Sequence, residues 1–375
     1  MQNDAGHTSG NDESLDSAEA DDQAWMEIKE TQGRNKMKNV ILTIDTEGPR
    51  GSDPVLYQIW GKVGTDSYYG IPKIIEICDK YHVKGLFFVD IPEIWDCGYE
   101  KIKEVIRYIR EKGHDVGVHV HPHHMPGETR QFLFDFTKEE QRDIIEKCTQ
   151  KYIDITGEFP ISFRAGKYGA NRDTLDIINE LGYQYDFSEF YSQRWCGIQP
   201  QVAYVLPQKY KSLTEFPVTI FKSVHMWKLY HRYDKLEATI NNTEMKYILK
   251  QYAHSPNPEL ITLFLHSFSL IHFLDTPDAP TVNEENIRRF EETLRFVHES
   301  DELRFIREAD LKDVPVPDSD SERNIIRTKG IFRQLYYFYL RAYSIRKTNK
   351  KARLLIVLSY VALAAILSAF VVFAI

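Results

Sequence analysis

At 375 residues, 42% hydrophobic and 13% aromatic, the chain can bury one large core or two ordinary ones. A formal net charge of −8 argues against a general nucleic-acid binder. Cys78, Cys97, Cys148 and Cys196 stand far apart with no CxxC spacing, which fits reduced thiols rather than a disulfide framework or a zinc-thiolate site.

Residues 1–36 are acidic, small and polar, and cannot bury enough to offset their ordering entropy, so they read as a disordered leader. Translation starts at Met1 or at Met37, which directly precedes the first apolar run. No basic, apolar signal segment opens the chain, which agrees with the thiols in suggesting a cytoplasmic body. From 37 to 314, short apolar runs alternate with longer amphipathic ones. Strands are expected at 40–44, 83–89, 115–119, 161–164, 184–186 and 260–266, and helices at 71–81, 99–112, 138–156, 172–181, 243–253 and 282–299. Asn171 and Asn283 supply helix starts, and Gly182 marks a stop. This alternation predicts an α/β fold with repeated βα units and a parallel, barrel-like sheet, with functional residues at the C-terminal strand ends. The stretch 195–233 breaks the rhythm and reads as an insertion at the mouth of the site, with short strands at 203–206 and 214–216.

Residues 315–327 resemble a linker, and 328–353 mix aromatics with charges that are all basic. Residues 354–375 carry no charge, and 22 residues is about the length of a transmembrane helix. Basic and aromatic residues ahead of it suit anionic headgroups, and the positive-inside rule puts the body in the cytoplasm on a single-pass C-terminal anchor.

Two polar clusters end apolar runs. Asp45-Thr46-Glu47 follows 40–44, and His119-Val120-His121-Pro122-His123 gathers three imidazoles within five residues after 115–118. Histidine is the commonest transition-metal ligand, and three of them at a strand end would build a poor core. In an extended chain Asp45 and Glu47 face one side and Thr46 the other. A straight strand would put 119, 121 and 123 on one face; a helical turn after His119 would instead pair 119 with 123.

The ordered set Asp45-Thr46-Glu47, His119 with His123, Phe163-Arg164 with Tyr168-Gly169, Asp186, and Leu265-His266-Ser267 resembles the polysaccharide deacetylase family (NodB-like, carbohydrate esterase family four). Within it, the likeness is to the branch linked to surface polysaccharide biosynthesis. The resemblance implies a distorted (β/α) barrel and a divalent metal, commonly Zn2+, held by one carboxylate and two histidines. Following it, His119 and His123 with Glu47 would hold the metal, and Asp45 would be the base; Asp45 on the metal with Glu47 as base stays open. Arg164 would position the base, His266 would act as general acid, and Asp186 would orient His266. Trp60 and Tyr168 would wall a sugar ring. The implied reaction removes an N-acetyl or other N-acyl group from an amino sugar in a glycan or a lipid-linked glycan precursor. A deformylase or amidase acting on another C–N bond, and a catalytically silent glycan-binding scaffold, are the alternatives.

Overall fold

The computed structural model describes residues 37–198, 205–226, 230–318 and 324–345, together with 354, 356 and 357. Within it, the expected apolar runs become strands of one sheet. Its order is Leu260–His266, Lys38–Thr46, Leu86–Asp90, Asp115–Val120, Ser162–Ala165, Tyr185–Asp186, Leu213–Glu215 and Gln208–Tyr210. All neighbouring pairs are parallel except the last, and Leu303–Phe305 adds a parallel strand beside Lys38–Val40. Strands covered on both faces must be apolar throughout rather than alternating. Lys38–Thr46 is buried at every position, as is Leu86–Asp90.

Helices cover the sheet. The helix Ile71–Lys80 turns Ile71, Ile74, Ile75, Ile77 and Cys78 into the core. In Lys138–Thr156 the start is fixed by a reciprocal cap, Thr137 accepting from the Glu140 N–H and Glu140 accepting from the Thr137 N–H. Asn171 caps Arg172–Leu181, and Gly182 ends it at φ 103°, a conformation that costs a side chain dearly. All four cysteines are free.

The expected barrel is distorted because its ladder does not close among the described residues. Between Leu213–Glu215 and Leu260–His266 the seam is laced by irregular chain. Thr219 Oγ1 accepts from the Thr262 N–H at 2.8 Å, and Phe264 bonds to the backbone of Leu236 and Ala238 at 3.0 and 2.8 Å. The insertion is an antiparallel pair, Ile220–Met226 with Tyr230–Lys235, to which Ile326–Arg327 adds in parallel. Of the two short strands expected there, 214–216 becomes Leu213–Glu215. Val205 and Leu206 form no strand, and 203–204 lie outside the described residues.

The 315–327 linker therefore ends in a strand, and part of the basic aromatic segment is folded onto the body. The helix Ile331–Ile345 is held by Gln334, which accepts from the His225 N–H at 2.8 Å, and by Arg341, which pairs with Glu244 at 2.7 Å and with Asp234. Among the described residues no helix is long and apolar enough to cross a membrane. The expected leader at 1–36 and, apart from Leu354, Ile356 and Val357, the expected span at 354–375 lie outside them.

Candidate active site

Parallel strands bring their C-terminal ends to one side, and strand register decides which side chains meet there. Asp45 is paired with His266 on one flank and with Phe88 on the other. One step further along, Asp90 pairs with His119, and His119 with Arg164. The pleat sends Thr46 away from this group. It is fully buried, and its hydroxyl donates to the Ile44 carbonyl at 3.3 Å. Asp45 and Glu47 both face His119, whose Nε2 lies 3.9 Å from Asp45 Oδ2 and 3.6 Å from Glu47 Oε2.

The second histidine of the group is His121, not the expected His123. His121 Nε2 lies 2.7 Å from Glu47 Oε2, and the donor atoms of Glu47, His119 and His121 are all within 4.8 Å of one another. The backbone stays extended through His121, at φ −99° and ψ 99°, so 119 and 121 share a face. Only at Pro122 does the 3₁₀ turn Pro122–His124 begin. The turn comes too late for an i, i+4 meeting, and it carries His123 off to a half-buried position.

Tautomer and packing favour ligation at this triad. His119 Nδ1 donates to the Arg164 carbonyl at 2.8 Å, which leaves Nε2 to face the carboxylates. Gly166 lies against the His121 ring, and a Cβ there would come within 2.6 Å of Cγ. Burial alone would raise the Glu47 carboxyl, but His121 and His119 hold it well below the ordinary value. Burial pulls the His121 imidazole down, toward the neutral form a metal requires.

Arg164 is fully buried and bonded at every edge: Nη1 to Asp45 Oδ1 at 2.5 Å, Nη2 to Thr43 Oγ1 at 3.1 Å, and Nε to the Phe187 carbonyl at 3.2 Å. Its guanidinium lies 4.2 Å from the Phe88 ring centre. Burial would raise Asp45, and the Arg164 cation overcomes that to keep it ionised below its ordinary value. The pair fixes one carboxylate oxygen and leaves Oδ2 on the His119 side.

His266 sits 3.8 Å from Glu47 Oε1, stacked on Phe268 and edge-on to Phe264. Asp186 does not orient it: no hydrogen bond or ion pair joins the two among the described residues. Asp186 ends its strand beside Glu215, accepts from the Ser188 hydroxyl at 2.6 Å, and hydrogen-bonds to the Glu215 carboxyl. Burial raises both carboxyls. Trp60 is also elsewhere, edge-on to Tyr108 at 5.1 Å.

A cleft of about 680 Å³ opens beside His266, with Lys167, Tyr168, Trp195, Tyr233 and Lys235 among its lining. Tyr168, expected as a wall, is there, and it follows Lys167 in a second consecutive left-handed conformation, φ 52° and 59°. Lys235 carried no warning in the sequence because it belongs to the irregular insertion. Its ammonium lies 3.2 Å from the Phe264 ring centre, and burial, partly countered by Glu237, lowers its pKa. Asp90 and Glu93 were missed as well, although Asp90 ends an apolar strand just as Asp45 does.

Residues 32–185 match the family described as polysaccharide deacetylase. A peptidoglycan deacetylase from Helicobacter pylori is 26% identical over 119 residues, covering 32% of this chain and 36% of that protein. The chain thus spans about a third of that relative's length. A peptidoglycan deacetylase-like protein of Gibberella zeae is 36% identical over 50 residues, 13% of this chain and 15% of that one. Among solved structures, a Mycobacterium smegmatis protein assigned as a polysaccharide deacetylase is 17% identical, with a TM-score of 0.49 over 77% of this chain and 96% of that one.

Proposed function

The chain belongs to the polysaccharide deacetylase family, and from that premise we propose that it hydrolyses the N-acetyl or a related N-acyl amide of an amino sugar in a glycan, with the help of a divalent metal. The observation that carries this reading is the convergence of Glu47, His119 and His121 beside the Asp45–Arg164 pair, 3.8 Å from His266, which lines a cleft. One carboxylate and two imidazoles are the donor types of a catalytic Zn2+ site. Bound there, the metal would polarise the amide carbonyl and make water acidic.

The chain's own residues supply the rest. Asp45, ionised and steadied by Arg164, takes the proton from water at its free Oδ2. The Phe264 and Phe268 rings fix the His266 imidazole, which delivers a proton to the departing sugar amine. Tyr168 offers a wall for the sugar ring. Purified protein loaded with Zn2+ should release acetate from N-acetylglucosamine oligosaccharides. His266→Ala should slow that release by about 10²–10⁴-fold and spare p-nitrophenyl acetate, whose leaving group needs no proton. A wild-type protein that holds its ion yet releases no acetate would refute the reading.

We also propose that the body is tethered to a membrane from the cytoplasmic side and acts on a lipid-linked glycan precursor. In support, the helix Ile331–Ile345 turns Phe332, Leu335, Tyr336 and Tyr343 to solvent, Phe332 at 85% exposure, ahead of the uncharged run 354–375. Aromatic side chains of this kind favour the headgroup region. The full chain should float with phosphatidylserine-containing vesicles, and a chain cut after Ile345 should lose flotation but keep its turnover of a soluble oligosaccharide. A cut at Arg327 would be uninformative, because it removes Arg341 and strands the fully buried Glu244 without its cation. Digestion of the body by protease added outside intact cells would reverse the orientation.

A further inference from the structure

A second cluster of ligand-type side chains lies behind the first and takes no part in the chemistry above. It draws on three elements. Asp90 ends the strand Leu86–Asp90, Glu93 opens the short helix Glu93–Cys97, and His124 closes the 3₁₀ turn Pro122–His124. Asp90 and Glu93 are both fully buried. Each spends one oxygen on a backbone donor: Asp90 Oδ1 accepts from the His121 N–H at 2.9 Å, and Glu93 Oε1 from the Gly48 N–H at 2.6 Å. The other oxygens, Asp90 Oδ2 and Glu93 Oε2, are buried and have no hydrogen-bond donor. His124 Nε2 faces them, 3.7 Å from Asp90 Oδ2, and the donor atoms of all three residues lie within 4.8 Å of one another.

Two buried carboxylates with idle oxygens cost too much free energy to leave uncompensated. In another buried carboxyl pair, Asp186 Oδ2 and Glu215 Oε2 also lack a donor, but no imidazole completes a ligand set there among the described residues. Asp90 and Glu93 instead aim their idle oxygens at an imidazole nitrogen. Moreover, His124 is prepared as a ligand: its Nδ1 is paired with the Asp96 carboxylate, which directs the Nε2 lone pair toward Asp90 and Glu93. A carboxylate behind a histidine is the usual support for a metal-bound imidazole.

We propose that Asp90, Glu93 and His124 hold a second divalent cation, of the Zn2+ or Mn2+ type, with Asp96 supporting His124. The imidazole selects against Mg2+ and Ca2+, which favour oxygen donors alone. The ion's role is structural. It draws together the backbone at Gly48, next to Glu47, and at His121, so it braces two of the three residues of the catalytic triad from behind. Filling this site therefore tightens the first.

Equilibrium dialysis of the full chain against Zn2+ alone, with metal analysis of the protein, tests this. Wild type should hold two equivalents, and His124→Ala and Glu93→Gln should each hold one. Glu93→Gln keeps the acceptor for Gly48, so it controls for misfolding. The ion that remains in these variants should bind roughly 10–100-fold more weakly than in wild type, the usual cost of losing an outer-shell support. A single equivalent in wild type that His121→Ala removes and His124→Ala does not, or two equivalents retained in both variants, would overturn the proposal. The proposed catalytic metal is a separate matter: its failure would show as a single ion that His124→Ala removes and His121→Ala does not.

Discussion

His121→Ala is expected to lose one divalent ion and the deacetylase activity together, whereas His123→Ala keeps the ion. His121 Nε2 is the atom nearest to Glu47, at 2.7 Å, and His123 lies outside the triad. Removing one of three ligands should weaken binding by more than the roughly 10–100-fold that outer-shell changes cost. His123 is only half-buried, and its ring nitrogens fall outside the set formed by Glu47, His119 and His121. Dialysis against Zn2+ followed by acetate-release assays would read both effects. An ion retained in His121→Ala and lost in His123→Ala would restore the i, i+4 pairing that the sequence suggested.

That reversal marks where the sequence stops being legible. The strand at 115–119, the cap at Asn171 and the stop at Gly182 were readable because local periodicity and cap chemistry act within a few residues. The Asp45/Glu47 alternation was readable for the same reason, since a pleat has a fixed period of two. The grouping of His119 with His121 rather than His123 turns on a boundary. Whether the chain turns at residue 119 or at 122 moves a side chain to a different face, and the ring of Pro122 settled the turn there. Asp186 failed for another reason. Its partner depended on sheet order, and a distance across several strands leaves no trace in spacing. The insertion at 195–233 stayed opaque because its paired strands are mostly exposed or half-buried, so no regular apolar alternation marks them. Lys235 and the cleft were accordingly invisible. The helix Ile331–Ile345 was read as membrane-facing from its basic and aromatic composition, and only the contacts of Gln334 and Arg341 reveal the face that grips the body.

Asp45→Asn is expected to retain the metal and lose about 10²–10⁴-fold in turnover, the usual contribution of a general base. The metal stays because Glu47, His119 and His121 are untouched. Stability should fall as well. Arg164 is fully buried, and Asp45 is the only carboxylate within salt-bridge distance of it among the described residues. Removing one partner of such a pair costs about 3–5 kcal/mol, although the amide oxygen of asparagine can still accept from Nη1 and keeps the loss toward the lower end. Urea denaturation would read this cost, and metal analysis would read the ion. Glu47→Gln should behave in the opposite way, losing affinity for the metal while sparing the Asp45–Arg164 pair and the stability that goes with it. Should Asp45→Asn shed the ion and Glu47→Gln keep it, the two carboxylates exchange roles. The Arg164 contact would then serve to orient a ligand rather than a base.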